Sequence, residues 1–166
     1  MYDYVIQYGF DDIPQSKIQS IKDHIKTGDV NDQYRNWQPH ITIDLYQCAD
    51  KDKFISAVDF VIKKLQKFEL EFNVLSNFNK RVLYIEPHNK KELLEYKDMF
   101  DSTLDKFRVE QVKQRIYNPH VTLCITEMFD KALTLANQKF KPFNAEVKYI
   151  WIYNQNIELI KQYELS

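Results

Sequence analysis

Two of the four histidines in this chain stand in the same sequence setting, 80 positions apart. His40 lies in QPHITIDL and His120 in NPHVTLCI, and each follows a proline and precedes a threonine by two positions. The match indicates an internal repeat. A repeat that supplied only core residues would not need histidine, so both motifs are candidates for chemistry.

Both motifs have the alternation of polar and aliphatic residues that is typical of a half-buried β-strand. Side chains two positions apart on a strand lie on the same face. His40 and Thr42 should therefore share one face of their strand, and His120 and Thr122 one face of theirs. The aliphatic residues between them should face a core. If the two halves pack symmetrically, the two polar faces meet in one cleft.

Two imidazoles in one cleft can divide the work of proton transfer. Histidine titrates near pH 6.5, so at neutral pH one ring can act as base while the other, protonated, acts as acid. Displacement at phosphorus needs that division, because the attacking oxygen loses a proton and the leaving oxygen gains one. The hydroxyls of Thr42 and Thr122 can donate to phosphate oxygens. This chemistry needs no metal and no cofactor.

Other interpretations of the motifs are weaker. A single His-x-Thr on a strand is usually a partly buried histidine beside a threonine, but the repeat in matching positions favours a functional pair. A metallohydrolase with His40, His120 and Cys124 as ligands is disfavoured, because no third ligand spacing fits. A module that binds an RNA end without turnover stays open as the alternative, although such a binder could dispense with both histidines and both threonines.

The composition narrows the function further. The 166 residues include 23 basic and 24 acidic ones, a formal net charge of −1, which argues against a protein that holds long nucleic acid by charge alone. A nucleotide or a short RNA end is a compatible partner. The two glycines, Gly9 and Gly28, are too few for a glycine-rich phosphate loop.

The compartment is predicted from cysteines and from hydropathy. The two cysteines, Cys48 and Cys124, form neither a disulfide framework nor a zinc ligand set, which suits a reducing compartment. No apolar stretch is long enough for a signal peptide or a membrane span. We therefore expect a cytoplasmic protein without membrane contact.

The hydrophobic pattern predicts the same order of elements in both halves: strand, helix, histidine strand, helix, strand. In the first half these are strand 4–10, a helix through 18–25, strand 40–46, helix 54–68 and strand 70–76. In the second half they are strand 81–86, helix 93–107, strand 120–126, helix 127–139 and a closing hairpin of strands 145–153 and 157–165. The pattern predicts an α+β fold of two pseudo-symmetric lobes in one domain, residues 1–166. We expect two antiparallel sheets facing a central cleft, helices outside, and a monomer.

The sequence resembles the two-histidine (2H) phosphoesterase superfamily, in its 2′-5′ RNA ligase-like and cyclic phosphodiesterase branch. That superfamily is defined by two His-x-Thr/Ser motifs about 80 residues apart. The features shared along most of the chain are the two motifs, Trp37, LYQ at 45–47, RVLYIEP at 81–87 and the last strand ending at Ser166. The resemblance implies a bilobal fold with His40, Thr42, His120 and Thr122 lining the cleft. It also implies metal-independent hydrolysis or formation of 2′,3′-cyclic or 2′-5′ phosphodiester bonds.

The chain departs from the superfamily pattern after the second motif. Many relatives carry an arginine there, where this chain has Ile125. Another group must then hold the phosphate, and a base would stack on an aromatic side chain. The candidates for substrate binding are Arg81, Tyr84, Arg115 and Tyr117, with Lys113, Trp151 and Tyr153 as further possibilities.

Overall fold

The computed structural model describes residues 1–166, which form seven β-strands and five α-helices. The strands are β1 (Tyr4–Phe10), β2 (Ile41–Tyr46), β3 (Phe68–Phe78), β4 (Val82–Pro87), β5 (Val121–Ile125), β6 (Phe143–Asn154) and β7 (Leu159–Glu164). The helices are α1 (Asp12–Lys26), α2 (Lys51–Ile62), α3 (Lys91–Leu104), the single-turn α4 (Glu110–Lys113) and α5 (Phe129–Lys139). The α+β class and the order of elements are as the hydrophobic pattern predicts, apart from the single-turn α4, which the pattern does not predict.

Two predicted helices are too long. Helix α2 ends at Ile62 instead of continuing to Phe68, which begins β3. Backbone hydrogen bonds of the i to i+3 type at Lys64 and Leu65 close the chain into a turn. Helix α3 ends at Leu104, and a 3₁₀ turn over Asp105–Phe107 follows it. In both places apolar residues continue at helical spacing beyond the end of the helix, because the residues of the following turn also face the core.

All seven strands belong to one antiparallel sheet in the order β2-β1-β6-β3-β4-β5, with β7 also paired to β6. The order is symmetric about its centre because the halves exchange their last strands. The last strand of the first half, β3, pairs with β4 of the second half, and β6 of the second half pairs with β1 of the first.

The prediction of two separate sheets is therefore wrong. Strand β6 is 12 residues long, long enough to serve both halves. Its first part, Phe143 to Val147, pairs with β3, and its remainder pairs with β1 on one edge and with β7 on the other. The hydrogen-bond ladder thus runs without a break from the strands of the first half of the chain to those of the second.

The two motif strands, β2 and β5, lie at opposite ends of this strand order, yet they contact each other. The sheet therefore curves until its edges meet. The main core of 35 buried residues fills the space between the sheet and the helices, whereas a small cluster of Val5, Trp37, Trp151 and Tyr153 covers part of the opposite face. No helix in the chain is both long and apolar enough to cross a lipid bilayer.

Each motif strand contains a β-bulge directly after its threonine. Gln7 pairs with Thr42 and Ile6 with Asp44, so Ile43 has no partner. In the second half Tyr84 pairs with Thr122 and Leu83 with Cys124, which leaves Leu123 unpaired. A bulge adds one residue and shifts the alternation of side chains. The predicted alternation therefore holds only as far as the threonine.

The shift determines which side chains reach the cleft. Past the first bulge Asp44 lines the cavity and pairs there with Lys97 of α3 at 3.1 Å. Leu45 and, in the second half, Ile125 line the cavity between the edge strands. Each half thus places an aliphatic side chain in the cavity wall after its motif threonine, and the first half also places Asp44 there.

Candidate active site

His40 stands immediately before β2 and is buried. Its Nδ1 donates to the carbonyl oxygen of Gln38 at 2.7 Å. A carbonyl can only accept, so the proton of the neutral ring lies on Nδ1 and the lone pair on Nε2. The hydroxyl of Thr42 lies 3.1 Å from Nε2, so the predicted pairing of these two side chains on one face is present.

His120 has the same arrangement in the second half. Its Nδ1 donates to the carbonyl oxygen of Asn118 at 2.7 Å, again two residues before the histidine, and Nε2 forms no hydrogen bond within the protein. The ring lies between Phe78 and Tyr84, with centroids 5.0 Å from each. Both histidines therefore present the basic nitrogen Nε2 from a ring whose other nitrogen is held by the backbone.

Burial lowers the pKa of both histidines. The pKa of His40 falls to about 4, first through desolvation and then through the positive charges of Lys22 and His120, although the Gln38 carbonyl opposes the shift. Burial lowers the pKa of His120, and the Asn118 carbonyl opposes it. A charge on His120 therefore disfavours a charge on His40, as expected of two groups in one site.

A cavity of about 890 Å³ lies between the two edge strands. Thr42 of the first motif and His120 of the second both line it, with Leu45, Ile125 and Phe78 as its apolar wall. His40 and Thr122 are not lining residues. His40 reaches the cavity wall through its contact with Thr42.

Tyr34 also lines this cavity. It contributes to the cavity wall together with Thr42 and His120. The loop that carries Tyr34 is fixed against β5, because the backbone N–H of Gln33 donates to the carbonyl oxygen of Ile125 at 2.7 Å. Of the four motif side chains, Thr42 and His120 therefore line the cavity directly, and His40 contacts it through Thr42.

Of the four predicted substrate-binding residues, the structure brings Arg115 and Tyr117 into the cavity wall. Arg115 is exposed and forms no ion pair. The hydroxyl of Tyr117 donates to the carbonyl oxygen of Thr42 at 3.0 Å, and burial followed by Asp44 and Asp101 raises its pKa. This hydrogen bond therefore links the segment before β5 to the other edge strand, β2.

The other two do not line the cavity. Arg81 donates to Gln33 at 2.8 Å and lies 4.0 Å from Glu127. Tyr84 is buried and packs against the ring of His120, so it supports the histidine. Of the further candidates, Lys113 is paired with Glu110, and Trp151 and Tyr153 are buried in the small cluster around Trp37.

Three site residues were not predicted from sequence: Tyr34, Phe78 and Lys22. Tyr34 lies in a stretch that reads as polar loop, and Phe78 at the end of β3, so neither has a local signal. Lys22, in contrast, does have a local signal in the sequence. It stands four positions after Ile18 and three before Ile25, on the apolar face of its helix, where a polar side chain is an anomaly.

The structure does not support a metallohydrolase site formed by His40, His120 and Cys124. Cys124 packs in the main core, and burial raises the pKa of its thiol to about 12. No group of three or more His, Cys, Asp or Glu side chains is placed to hold a metal ion.

A profile of the 2′-5′ RNA ligase superfamily matches residues 10–156. The chain belongs to this superfamily. The match confirms the resemblance to the 2H phosphoesterases. Comparison with curated proteins gives no significant match.

Solved structures of the superfamily share the fold at low sequence identity. Escherichia coli LigT, crystallised with 3′-AMP, is 14% identical with a TM-score of 0.70, over 99% of this chain and 98% of LigT. TT0787 of Thermus thermophilus is 9% identical with a TM-score of 0.68, over 98% and 97% of the two chains. Kluyveromyces marxianus Usb1 with uridine monophosphate is 8% identical with a TM-score of 0.52, over 98% and 97%.

An aliphatic side chain stands at position 125, where the sequence resemblance leads one to expect an arginine. Ile125 lies in the cavity wall together with Leu45, its counterpart after the first bulge. Two other cations line the cavity, but Lys97 and Arg108 are both paired with Asp44, at 3.1 and 2.7 Å. Arg115 is therefore the cavity-lining cation without a carboxylate partner.

Proposed function

We propose that the chain is a metal-independent phosphodiesterase that acts on 2′,3′-cyclic phosphates or 2′-5′ phosphodiester bonds of nucleotides or RNA ends. The observation that carries the proposal is the matched state of His40 and His120. Each ring has its Nδ1 held by a backbone carbonyl, which leaves Nε2 for a proton on its way to or from substrate. Membership of the 2H phosphoesterases supports the same chemistry.

Hydrolysis of a cyclic phosphate balances with these two groups. One histidine takes a proton from water on Nε2 while the water oxygen bonds to phosphorus. The bond from phosphorus to one ribose oxygen breaks, and the second histidine, protonated, gives its Nε2 proton to that oxygen. The products are a phosphomonoester and a free hydroxyl. The proton left on the first histidine then returns to the second through solvent.

The threonines would stabilise the phosphoryl group in this step. Thr42 lies beside Nε2 of His40 and in the cavity wall, so its hydroxyl can turn from the ring to a phosphate oxygen. Thr122 is the matching donor on β5. Oriented donors of this kind are worth roughly 10²-fold or more in rate. Arg115 supplies a positive charge at the cavity rim.

The size and polarity of the cavity favour a nucleotide or a short end over long RNA. Its volume of about 890 Å³ lies within the range of small-ligand sites, roughly 300–1,000 Å³. Phe78 and Tyr34 offer rings on which a base could stack. LigT was crystallised with 3′-AMP and Usb1 with uridine monophosphate, which supports a nucleotide-sized ligand here.

A binding module for RNA ends is the alternative, and one assay separates the two. The purified protein is incubated with the four 2′,3′-cyclic nucleotides, a 2′-5′ dinucleotide and an RNA with a cyclic-phosphate end, and products are resolved by chromatography. Turnover of one class in excess EDTA supports the proposal. Saturable binding of these ligands without any product supports the binding module.

A further inference from the structure

Lys22 of α1 is a buried lysine without a carboxylate partner. Only 3% of its surface is exposed. Its Nζ donates to the carbonyl oxygen of Trp37 and lies 5.2 Å from the centre of the Tyr34 ring. A buried ammonium group that no carboxylate neutralises is costly to the fold. Such a group is therefore a candidate for function.

The second half of the molecule contains the matching lysine. Lys97 of α3 stands four positions after Leu93 and three before Phe100, the spacing that Lys22 has to Ile18 and Ile25. It is nearly as buried as Lys22 and lies 5.3 Å from the centre of the Tyr117 ring. The repeat thus includes one buried lysine in the first helix of each half.

The two lysines differ in their neutralisation. Lys97 contacts the carboxylates of Asp44 at 3.1 Å and of Asp101 at 2.6 Å. For Lys22, Cys124 takes the repeat position of Asp44, and Lys26 takes that of Asp101. A thiol and a second cation therefore replace two carboxylates. The fold pairs Lys97 with two carboxylates, but Lys22 forms no ion pair with a carboxylate.

Because Lys22 lacks a carboxylate partner, His40 and His120 lie in different electrostatic environments. The positive charge of Lys22 lowers the pKa of His40 in addition to burial, whereas burial alone lowers that of His120. The charged groups that act on Lys22 are Lys26 on its own helix, Asp32 on the following loop and Asp23. Burial lowers the pKa of Lys22 to about 8, so the side chain is still mainly charged at neutral pH.

The geometry points to Lys22 as a positioning residue that makes His40 the general base and leaves His120 as the general acid. The assignment rests on the proposed function. Lys22 holds the backbone at Trp37, three residues before His40, and its charge disfavours a second positive charge on that ring. In the hydrolysis described above, His40 then takes the proton from water, and His120 gives its proton to the leaving oxygen.

Two variants remove the asymmetry in different ways. Lys22→Met deletes the charge and keeps the length of the side chain. Lys26→Asp places a carboxylate four positions after Lys22, as Asp101 stands after Lys97, and it alters only an exposed position. Lys26→Gln is the matched control, because it removes the exposed charge without supplying a partner.

The pKa of each histidine is measured by NMR titration of the imidazole signals in all four proteins without substrate. We expect the pKa of His40 to rise by roughly one pH unit in Lys22→Met and in the same direction in Lys26→Asp, with His120 unchanged and Lys26→Gln close to wild type. The acid limb of the kcat/KM profile should move with His40. If Lys22→Met does not fold, Lys26→Asp alone still tests the assignment.

An unchanged pKa of His40 in Lys26→Asp and in folded Lys22→Met would overturn the assignment, as would an equal shift in Lys26→Gln. A shift confined to His120 would contradict it as well. Failure of the proposed function looks different: the wild type would then turn over no phosphodiester, while the substrate-free titrations would still report whether Lys22 acts on His40.

Discussion

The hydroxyl of Tyr117 donates to the carbonyl oxygen of Thr42 at 3.0 Å, and this bond ties together the two edge strands of the sheet. Tyr117 precedes the second motif, and Thr42 belongs to the first. Because β2 and β5 are at opposite ends of the strand order, nothing in the hydrogen-bond ladder holds their distance. This hydrogen bond therefore helps to set the distance between His40 and His120.

Tyr117→Phe should lower both stability and turnover. Loss of one buried hydrogen bond costs about 1 kcal/mol, measured by urea unfolding, and the loosened spacing should reduce kcat more than KM is raised. Tyr163→Phe is the matched control, because its hydroxyl donates to Asp59 at 2.6 Å, away from the cavity. Equal kcat in the two variants would show that the tie has no role in catalysis.

Arg115→Gln should weaken substrate binding. Arg115 lines the cavity without an ion pair, so a phosphate there would gain a charge-assisted hydrogen bond, and its loss should raise KM about tenfold or more. Arg81→Gln is the control, since Arg81 contacts Gln33 outside the cavity. A raised KM in the Arg81 variant alone would reverse the assignment of the phosphate-holding group.

The acid side of the stability curve should depend on His40. Its folded pKa is about 4, lowered from the ordinary 6.5, so the unfolded chain takes up a proton first as the pH falls. The resulting stability is present above pH 6.5 and is lost as the pH falls towards 4. The gap in unfolding free energy between wild type and His40→Asn should change by roughly 3 kcal/mol over this window. A gap that is independent of pH would contradict the lowered pKa.

Lys22→Met should affect stability in the alkaline range. The folded pKa of Lys22 is about 8, lowered from 10.5 by burial, so the charged form weakens the folded state most below pH 8. As the pH rises from 8 to 10.5, the wild type should gain roughly 3 kcal/mol relative to the variant. Chemical denaturation of both proteins across this range measures the gap, and a constant gap would mean that Lys22 carries no buried charge.

The sequence predicted the parts of this site that depend on local pattern. The strands of His40 and His120 alternate clearly enough to place histidine and threonine on one face, and the repeat marked them as a pair. The two bulges depend on pairing with β1 and β4, which the local pattern does not contain, so the pairing of Asp44 with Lys97 and Arg108 could not be predicted.

The prediction of two sheets was wrong for a similar reason. Exchange of β3 and β6 between the halves is a long-range pairing, and a repeat in sequence is equally compatible with two closed lobes. Lys22 is a different case. Its place between Ile18 and Ile25 was visible as a polar residue on an apolar helix face, and only its missing carboxylate needed the structure.

The central claim is that His40 and His120 act as one acid–base pair, and the turnover of single and double variants tests it most directly. Turnover of the cyclic nucleotide that the wild type prefers is measured for His40→Ala, His120→Ala and the double variant, each shown to be folded by circular dichroism. We expect a loss of about 10²- to 10⁴-fold in each single variant, and a double variant far better than the product of the two losses because both groups act in one step. Wild-type turnover in either folded single variant would contradict the pair and favour the binding module.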